Sequence, residues 1–179
     1  EQIPGLEAVS TPVGGGGLLS GTARAVRGIK PSINVHGAEP AGADDAWQSL
    51  RSGRIVPQTD PRTIADGLRS SLGLKTFAVL STLVDSIGTT SEEAIVRAMR
   101  LTWEKLKLII EPSSAVPLAA LLEHKLTVAG RRVGIVLSGG NVALDRLPRL
   151  LSREGPARAA PTATEAPPSP PGREPLPDA

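Results

Sequence analysis

Four consecutive glycines, Gly14 to Gly17, stand between a short apolar run, Ala8-Val9-Ser10-Thr11-Pro12-Val13, and a segment of helical spacing that begins at Leu18. The order reads strand, glycine turn, helix. Without Cβ atoms a backbone bends tightly and can bring several N–H donors against one anion, and the helix that follows adds unpaired N–H groups and a positive dipole end. A long flexible turn is the plain alternative, since glycine punctuates loops of every kind. Four in a row lose more backbone freedom on folding than a mere connection requires, which favours a bound phosphate.

Composition narrows the classes. The 179 residues suit one domain, or one domain and a tail, and a 40% hydrophobic content can fill a core. Lys and Arg exceed Asp and Glu by only two charges, with two Trp and one Phe to stack on bases, so no nucleic-acid partner is expected. Zero cysteines exclude a disulfide scaffold and a thiolate site and suit a reducing compartment, hence a cytoplasmic location. No apolar run reaches the ~18 residues of a membrane span. The chain opens on Glu1 and its one methionine, Met99, is internal; a C-terminal piece of a longer protein is expected.

Along the chain, Leu18, Leu19, Ala23, Val26 and Ile29 share a helix face, and Ser32 to His36 alternate as a strand ending near Gly37-Ala38-Glu39-Pro40. Helices are expected over Ala43–Arg51 and Thr76–Asp85. Thr90-Ser91-Glu92-Glu93 has the form of a capping box opening a longer helix, with Ile95, Met99, Trp103 and Leu106 as a core-facing stripe. Pro112 starts a helix over Ala115–His124. Val133 to Leu137 reads as a fully buried strand of the parallel-sheet type, ending in Ser138-Gly139-Gly140-Asn141. The fold class is therefore α/β, an open parallel twisted sheet flanked by helices over residues 1–152. Residues 153–179 are expected to be a disordered Pro/Ala-rich tail, because 8 of the 17 prolines fall in the last 25 residues.

Each candidate site has a plain alternative. A dinucleotide fingerprint fails, since Leu19 and Ser20 stand where its third glycine should, although Glu39 ends the next strand as a ribose-binding acid would. No Gly-Lys-Ser/Thr follows, which excludes a Walker loop. Glu39, the Ala43 carbonyl and Asp45 offer oxygen ligands for a hard cation; Asp44 and Asp45 also suit the first turn of a helix, and spacing alone favours that second account. In an open parallel sheet ligands sit beyond the carboxyl ends of strands, so the tetraglycine loop and the Ser138 segment could face one crevice, with Ser138 either a ligand hydroxyl or a turn residue. His36, in a strand, and His124, at a helix end, are assigned no catalysis. The five lysines, Lys30, Lys75, Lys105, Lys107 and Lys125, read as helix-surface residues.

Taken in order, PVGGGGLLSG at 12–21, AEPAGADDA at 38–46, TIADGLRSSLG at 63–73, IIEPSSAV at 109–116 and VLSGGNV at 136–142 resemble one family. They look like the C-terminal half of the large domain of a pyridoxal-phosphate (PLP) enzyme of the tryptophan-synthase-β type (fold type II), close to serine racemase and the threonine/serine ammonia-lyases. The resemblance covers about residues 1–147. It implies that Gly14, Gly15, Gly16, Gly17 and the Leu18 amide hold the cofactor phosphate and that Ser138 meets the pyridine nitrogen. It places Asp66-Gly67 and Ser70-Ser71, with Glu111, near ring or substrate, and Mg²⁺, or Ca²⁺ or Mn²⁺, at Glu39, Ala43 and Asp45. Lys107 and Asn141 would border a nucleotide effector site in a homodimer. The implied activity is dehydration and deamination of L-serine or L-threonine to a 2-oxo acid and ammonia, with or without racemisation. The departure is the Schiff-base lysine: the family carries it in a segment followed by Arg-Gly, and no lysine here has that context. No catalytic residue is thus expected in this chain, and a non-catalytic fragment or a phosphate- or nucleotide-binding module is the alternative.

Overall fold

The structure, a computed structural model, describes residues 3–128 and 131–151; the segment read as a tail from 153 lies outside them. Four parallel strands form one sheet: β1 (Ala8–Pro12), β2 (Asn34–Pro40), β3 (Ser86–Thr90) and β4 (Val133–Ile135), in the order β3-β2-β1-β4. Register runs Ala8↔Asn34 to Pro12↔Ala38, His36↔Ser86 to Pro40↔Thr90, and Ala8↔Val133 to Ser10↔Ile135. The chain steps from β1 outward to β2 and β3 and then returns to the far side of β1. The direction of winding therefore reverses between β1 and β4, and the carboxyl ends of the strands at such a reversal are where open parallel sheets place their ligands.

Two cores cover the two faces, as the period of two along each strand requires. Val9, Val35 and Ile87 pack with Leu19 and Ala23 of α1 (Gly17–Ile29), Ala46 of α2 (Asp45–Ser52) and Leu80 of α3 (Leu74–Leu83). Ala8 and Ala38 turn to the other face and meet Ala115, Val116, Ala119 and Ala120 of α5 (Pro112–Leu122), which α4 (Glu92–Leu106) backs with Ile95 and Met99. Small side chains on both sides let α5 lie close to the strands, which fixes where its N-terminal turn points. A short helix, α6 (Leu147–Leu151), follows β4.

Several expectations are corrected. The segment after α3 is not helix to Asp85: Val84 is extended and Ser86–Thr90 pairs with β2 as an edge strand, held by a bond between His36 Nδ1 and Ser86 Oγ at 2.9 Å. Helix α2 opens at Asp45 rather than Ala43. The cap of α4 is Ser91, whose hydroxyl accepts from the Ala94 amide at 3.2 Å, so the box expected from Thr90 does not form. Ile95 and Met99 are buried as the stripe requires, but Leu106, in the last turn, is 59% exposed. Helix α5 ends at Leu122, two residues short of His124. Strand β4 stops at Ile135 and is only half-buried, because it lies at the sheet edge.

Candidate functional site: two glycine loops at the switch point

Strand β1 ends at Pro12 and the chain turns through Val13–Gly16 into α1. Gly16 takes φ +83°, the left-handed region, and its carbonyl accepts the first helical bond, from Ser20, at 2.9 Å. Only glycine fits there for a second reason: a Cβ would lie 2.6 Å from Leu72 Cδ1 and 2.9 Å from Thr76 Cβ. Gly14 is also hemmed in, since a Cβ would come within 3.1 Å of Leu68 Cα and 3.2 Å of Ser70 Oγ. Around Gly17 the space is open to 4 Å. Among the described residues, no protein acceptor takes the amides of Gly14 to Leu19. Unbonded amides at a helix start, three of them on the exposed Gly15, Gly17 and Leu18, are a donor set of the kind that can receive an anion.

The second loop leaves β4. Val136 still bonds across to Ser10 at 3.0 Å, and the chain then runs into Ser138-Gly139-Gly140-Asn141 beside the N-terminal turn of α5. The Glu111 amide donates to the Gly139 carbonyl at 3.2 Å, and the Gly139 amide lies 3.4 Å from Ser114 Oγ. Ser138 is exposed. The third wall is the segment Asp66–Ser71. Its Gly67 amide donates to Ser113 Oγ at 3.1 Å, and its Ser70 hydroxyl faces Gly14 and Gly15. The loop after β1, the loop after β4, the 66–71 segment and the start of α5 thus meet at the carboxyl end of the sheet. Burial and the neighbouring Asp66 carboxylate push the Glu111 carboxyl above its usual range, opposed by the Asn141 amide.

Other expected residues stand as follows. Ser71 turns its hydroxyl to Gln58, accepting from that amide at 2.9 Å, so the hydroxyl facing the glycine loop is that of Ser70. Lys107 ends α4 at φ 58° and donates to the Glu104 carbonyl at 2.7 Å. Asn141 is exposed in the loop after β4. The reading from residues missed Thr76 and Ser114, which bond to the two glycine loops. Thr76 takes the Gly73 amide three residues before it, and nothing in the sequence says that its hydroxyl also reaches Gly15.

The acidic segment is buried. Glu39 is 0% and Asp45 1% exposed. Glu39 accepts from the Ala46 amide at 3.2 Å and the Trp47 amide at 2.8 Å, which makes it the cap of α2 across the Pro40–Asp44 turn. Asp45 Oδ2 accepts from the Leu72 amide at 2.7 Å, while Asp45 Oδ1 is buried without a well-aligned hydrogen bond, although the Gln58 side chain and the residue's own amide act on this carboxylate. Burial, with Asp45 and Asp44 adding repulsion, pushes the Glu39 carboxyl up to about 8 despite its two amide donors. Among the described residues no group of three or more His, Asp or Glu is arranged to hold a metal ion. Two carboxylates, one with a buried oxygen that lacks a well-aligned hydrogen bond, still suit a hard cation whose shell a backbone carbonyl and water complete.

Comparison with known proteins decides the family. Residues 1–139 match the family described as pyridoxal-phosphate dependent enzyme. The chain belongs to that family. Over 148 residues it is 46% identical to a beta-hydroxyaspartate dehydratase of Paracoccus denitrificans, covering 83% of this chain and 47% of the relative. It is 47% identical over 156 residues to the serine racemase of Dictyostelium discoideum, covering 85% and 48%. A solved structure of the T.th. threonine deaminase superposes with a TM-score of 0.71 at 49% identity, covering 76% of this chain and 50% of that one. The chain spans about half the length of the curated relatives it matches. The parallel sheet flanked by helices is the fold these neighbours share.

Proposed function

We propose that the chain forms the cofactor-phosphate side of a PLP-dependent ammonia-lyase or racemase that acts on a small amino acid with a β-hydroxyl group. The observation that carries this reading is the meeting of two glycine loops at the switch point, one with a row of unbonded amides. The names of the relatives point to serine, threonine and 3-hydroxyaspartate, which share that hydroxyl. When bound, PLP supplies an electron sink for the substrate's α-carbon. The amides of Gly14 to Leu18 and the start of α1 would bind its phosphate. Ser138 would place a neutral hydroxyl, rather than an acid, at the pyridine nitrogen, a partner that would suit loss of the substrate's β-hydroxyl. Gly67, with the Ser71 backbone, would border the substrate beside Glu111. Glu39, the Ala43 carbonyl and Asp45 would hold Mg²⁺, Ca²⁺ or Mn²⁺ as a structural ion tying the Pro40 turn to α2.

The same proposal includes a cytoplasmic location, suggested by the absence of cysteine, and a homodimer whose nucleotide effector would lie near Lys107 and Asn141. Among the described residues no helix is long and apolar enough to cross a membrane. A second reading, binding without turnover, is favoured by the lysines. All five are exposed; Lys30 Nζ donates to the Pro4 carbonyl and Lys107 Nζ to that of Glu104. Calorimetric titration separates the ideas. PLP is expected to bind, inorganic phosphate to compete with it, and pyridoxal without its phosphate to bind far more weakly. Equal binding of pyridoxal would overturn the assignment. Formation of 2-oxo acid from L-serine by this chain alone would overturn the reading without turnover.

A further inference from the structure

Helix α5 opens with two consecutive buried serines, Ser113 and Ser114, and each hydroxyl accepts from a different wall of the candidate site. Ser113 Oγ takes the Gly67 amide at 3.1 Å. Ser114 Oγ takes the Gly139 amide at 3.4 Å, and the Glu111 amide donates to the carbonyl of the same Gly139 at 3.2 Å, so one turn grips that residue at both of its backbone groups. The two glycines lead to different places. The stretch from Gly67 to Ser70 backs the first glycine loop: a Cβ on Gly14 would come within 3.1 Å of Leu68 Cα and 3.2 Å of both the Gly67 carbonyl and Ser70 Oγ. Gly139 directly follows Ser138, and the loop is pressed against the start of α5, since a Cβ on Gly139 would lie 2.5 Å from Glu111 Oε1 and one on Gly140 2.6 Å from the Ile109 carbonyl. The turn that carries both hydroxyls is itself fixed, because Ala115, Val116, Ala119 and Ala120 bury α5 against the strands.

We infer that Ser113 and Ser114 are positioning residues that set the distance between the two ends of the cofactor site. Ser113 acts on the phosphate end, through Gly67–Ser70 and Gly14, and Ser114 on the ring end, through Gly139 and Ser138. This deepens the proposed function and rests on it. Because the two hydroxyls are neighbours on one packed turn, the spacing of the ends is a property of α5 rather than of either loop. Removing one hydroxyl hands its amide to water and frees that wall alone. A ligand that touches only the phosphate end responds to Ser113; one that spans both ends responds to both.

The test is calorimetric titration of the full chain with inorganic phosphate and with PLP, for the wild type, Ser113→Ala, Ser114→Ala and the hydroxyl-keeping Ser113→Thr, with hydrogen exchange of the Gly67 and Gly139 amides followed by NMR. Ser114→Ala is expected to bind PLP about five- to tenfold more weakly, the size of one hydrogen bond, with inorganic phosphate unchanged. Ser113→Ala is expected to weaken both ligands by a similar factor, and Ser113→Thr to keep wild-type affinities. Exchange should quicken at Gly139 and not at Gly67 in Ser114→Ala, and the reverse in Ser113→Ala. A general loosening of the fold would weaken both ligands and speed both amides in either variant, so equal effects overturn the positioning roles, as does wild-type PLP affinity in Ser114→Ala. Unprotected Gly67 and Gly139 amides in the wild type overturn the two contacts without any variant. A wild type with both amides protected that binds neither phosphate nor PLP removes the proposed function and the roles that rest on it, an outcome distinct from the others.

Discussion

At the scale of single residues, adjacent glycines of one loop have opposite requirements. Gly16 is fixed by geometry: φ +83° and contact with Leu72 and Thr76 make any Cβ a strain. Gly16→Ala is expected to lose about 1–3 kcal/mol of stability, read as a lower urea midpoint, and to weaken phosphate binding with it. Gly17 is the first residue of α1 and has nothing within 4 Å of its Cβ direction. Gly17→Ala is therefore expected to hold or raise stability, by up to ~1 kcal/mol, yet to put a methyl group where the anion would sit and so weaken phosphate. A Gly17→Ala variant that binds phosphate like the wild type would show that the open space is not the anion's. The motif was legible in the sequence because glycine's lack of a Cβ is a local property. That Gly16 is hemmed in by α3 was not.

At the scale of elements, the clasp between α4 and α5 is a carboxylate. Glu123, just past α5, takes the Thr90 hydroxyl at 2.8 Å and the Ser91 hydroxyl and amide at 2.6 and 3.1 Å. Burial raises its pKa, but those donors, with Arg97 nearby, outweigh burial and leave it lowered. A depressed carboxylate contributes stability that is present above its unfolded value of 4.5 and is lost as pH falls through the lower folded value. Glu123→Gln is expected to show a shallower loss of stability below that pH in urea titrations, and Glu123→Ala to cost about 1–3 kcal/mol at neutral pH. The two ends of the α4 stripe should also differ. Met99→Ala, at a fully buried position, is expected to cost about 2–5 kcal/mol, while Leu106→Ala, 59% exposed, should change stability by under ~0.5 kcal/mol in the same denaturation assay.

For the whole molecule, Glu39 and Asp45 are two buried carboxyl groups beside the sheet. A buried charge is costly, and Glu39 answers by holding its proton to about 8. A ligand that binds only the folded state stabilises by mass action, about 2.7 kcal/mol at a hundred times its Kd. Thermal unfolding is thus expected to move upward on adding Mg²⁺ and to return on adding a chelator. Glu39→Gln, which removes a ligand and leaves the side chain one acceptor for two amides, is expected to abolish that Mg²⁺ response. A wild type whose melting ignores Mg²⁺, Ca²⁺ and Mn²⁺ alike would leave Glu39 as a helix cap and nothing more.

By itself the sequence determined what depends on neighbours along the chain: the glycine bend after β1, the Ser138 turn after β4, the apolar faces of α1 and α4, and the proline that opens α5. These follow from steric freedom at a residue and from periodicity, both carried by a few adjacent positions. Tertiary structure alone decided the rest. Ser86–Thr90 is a strand because β2 offers it an edge, not because five residues of mixed character demand one. Val133–Ile135 is half-buried because β4 ends the sheet. The two glycine loops come together because β4 returns beside β1 rather than beyond β3, and Thr76, Leu72 and Ser70 reach the first of them only because α3 packs on α1. Local spacing states which side of an element is apolar and leaves open what will cover it; strand order, set by the burial of both sheet faces at once, makes that choice.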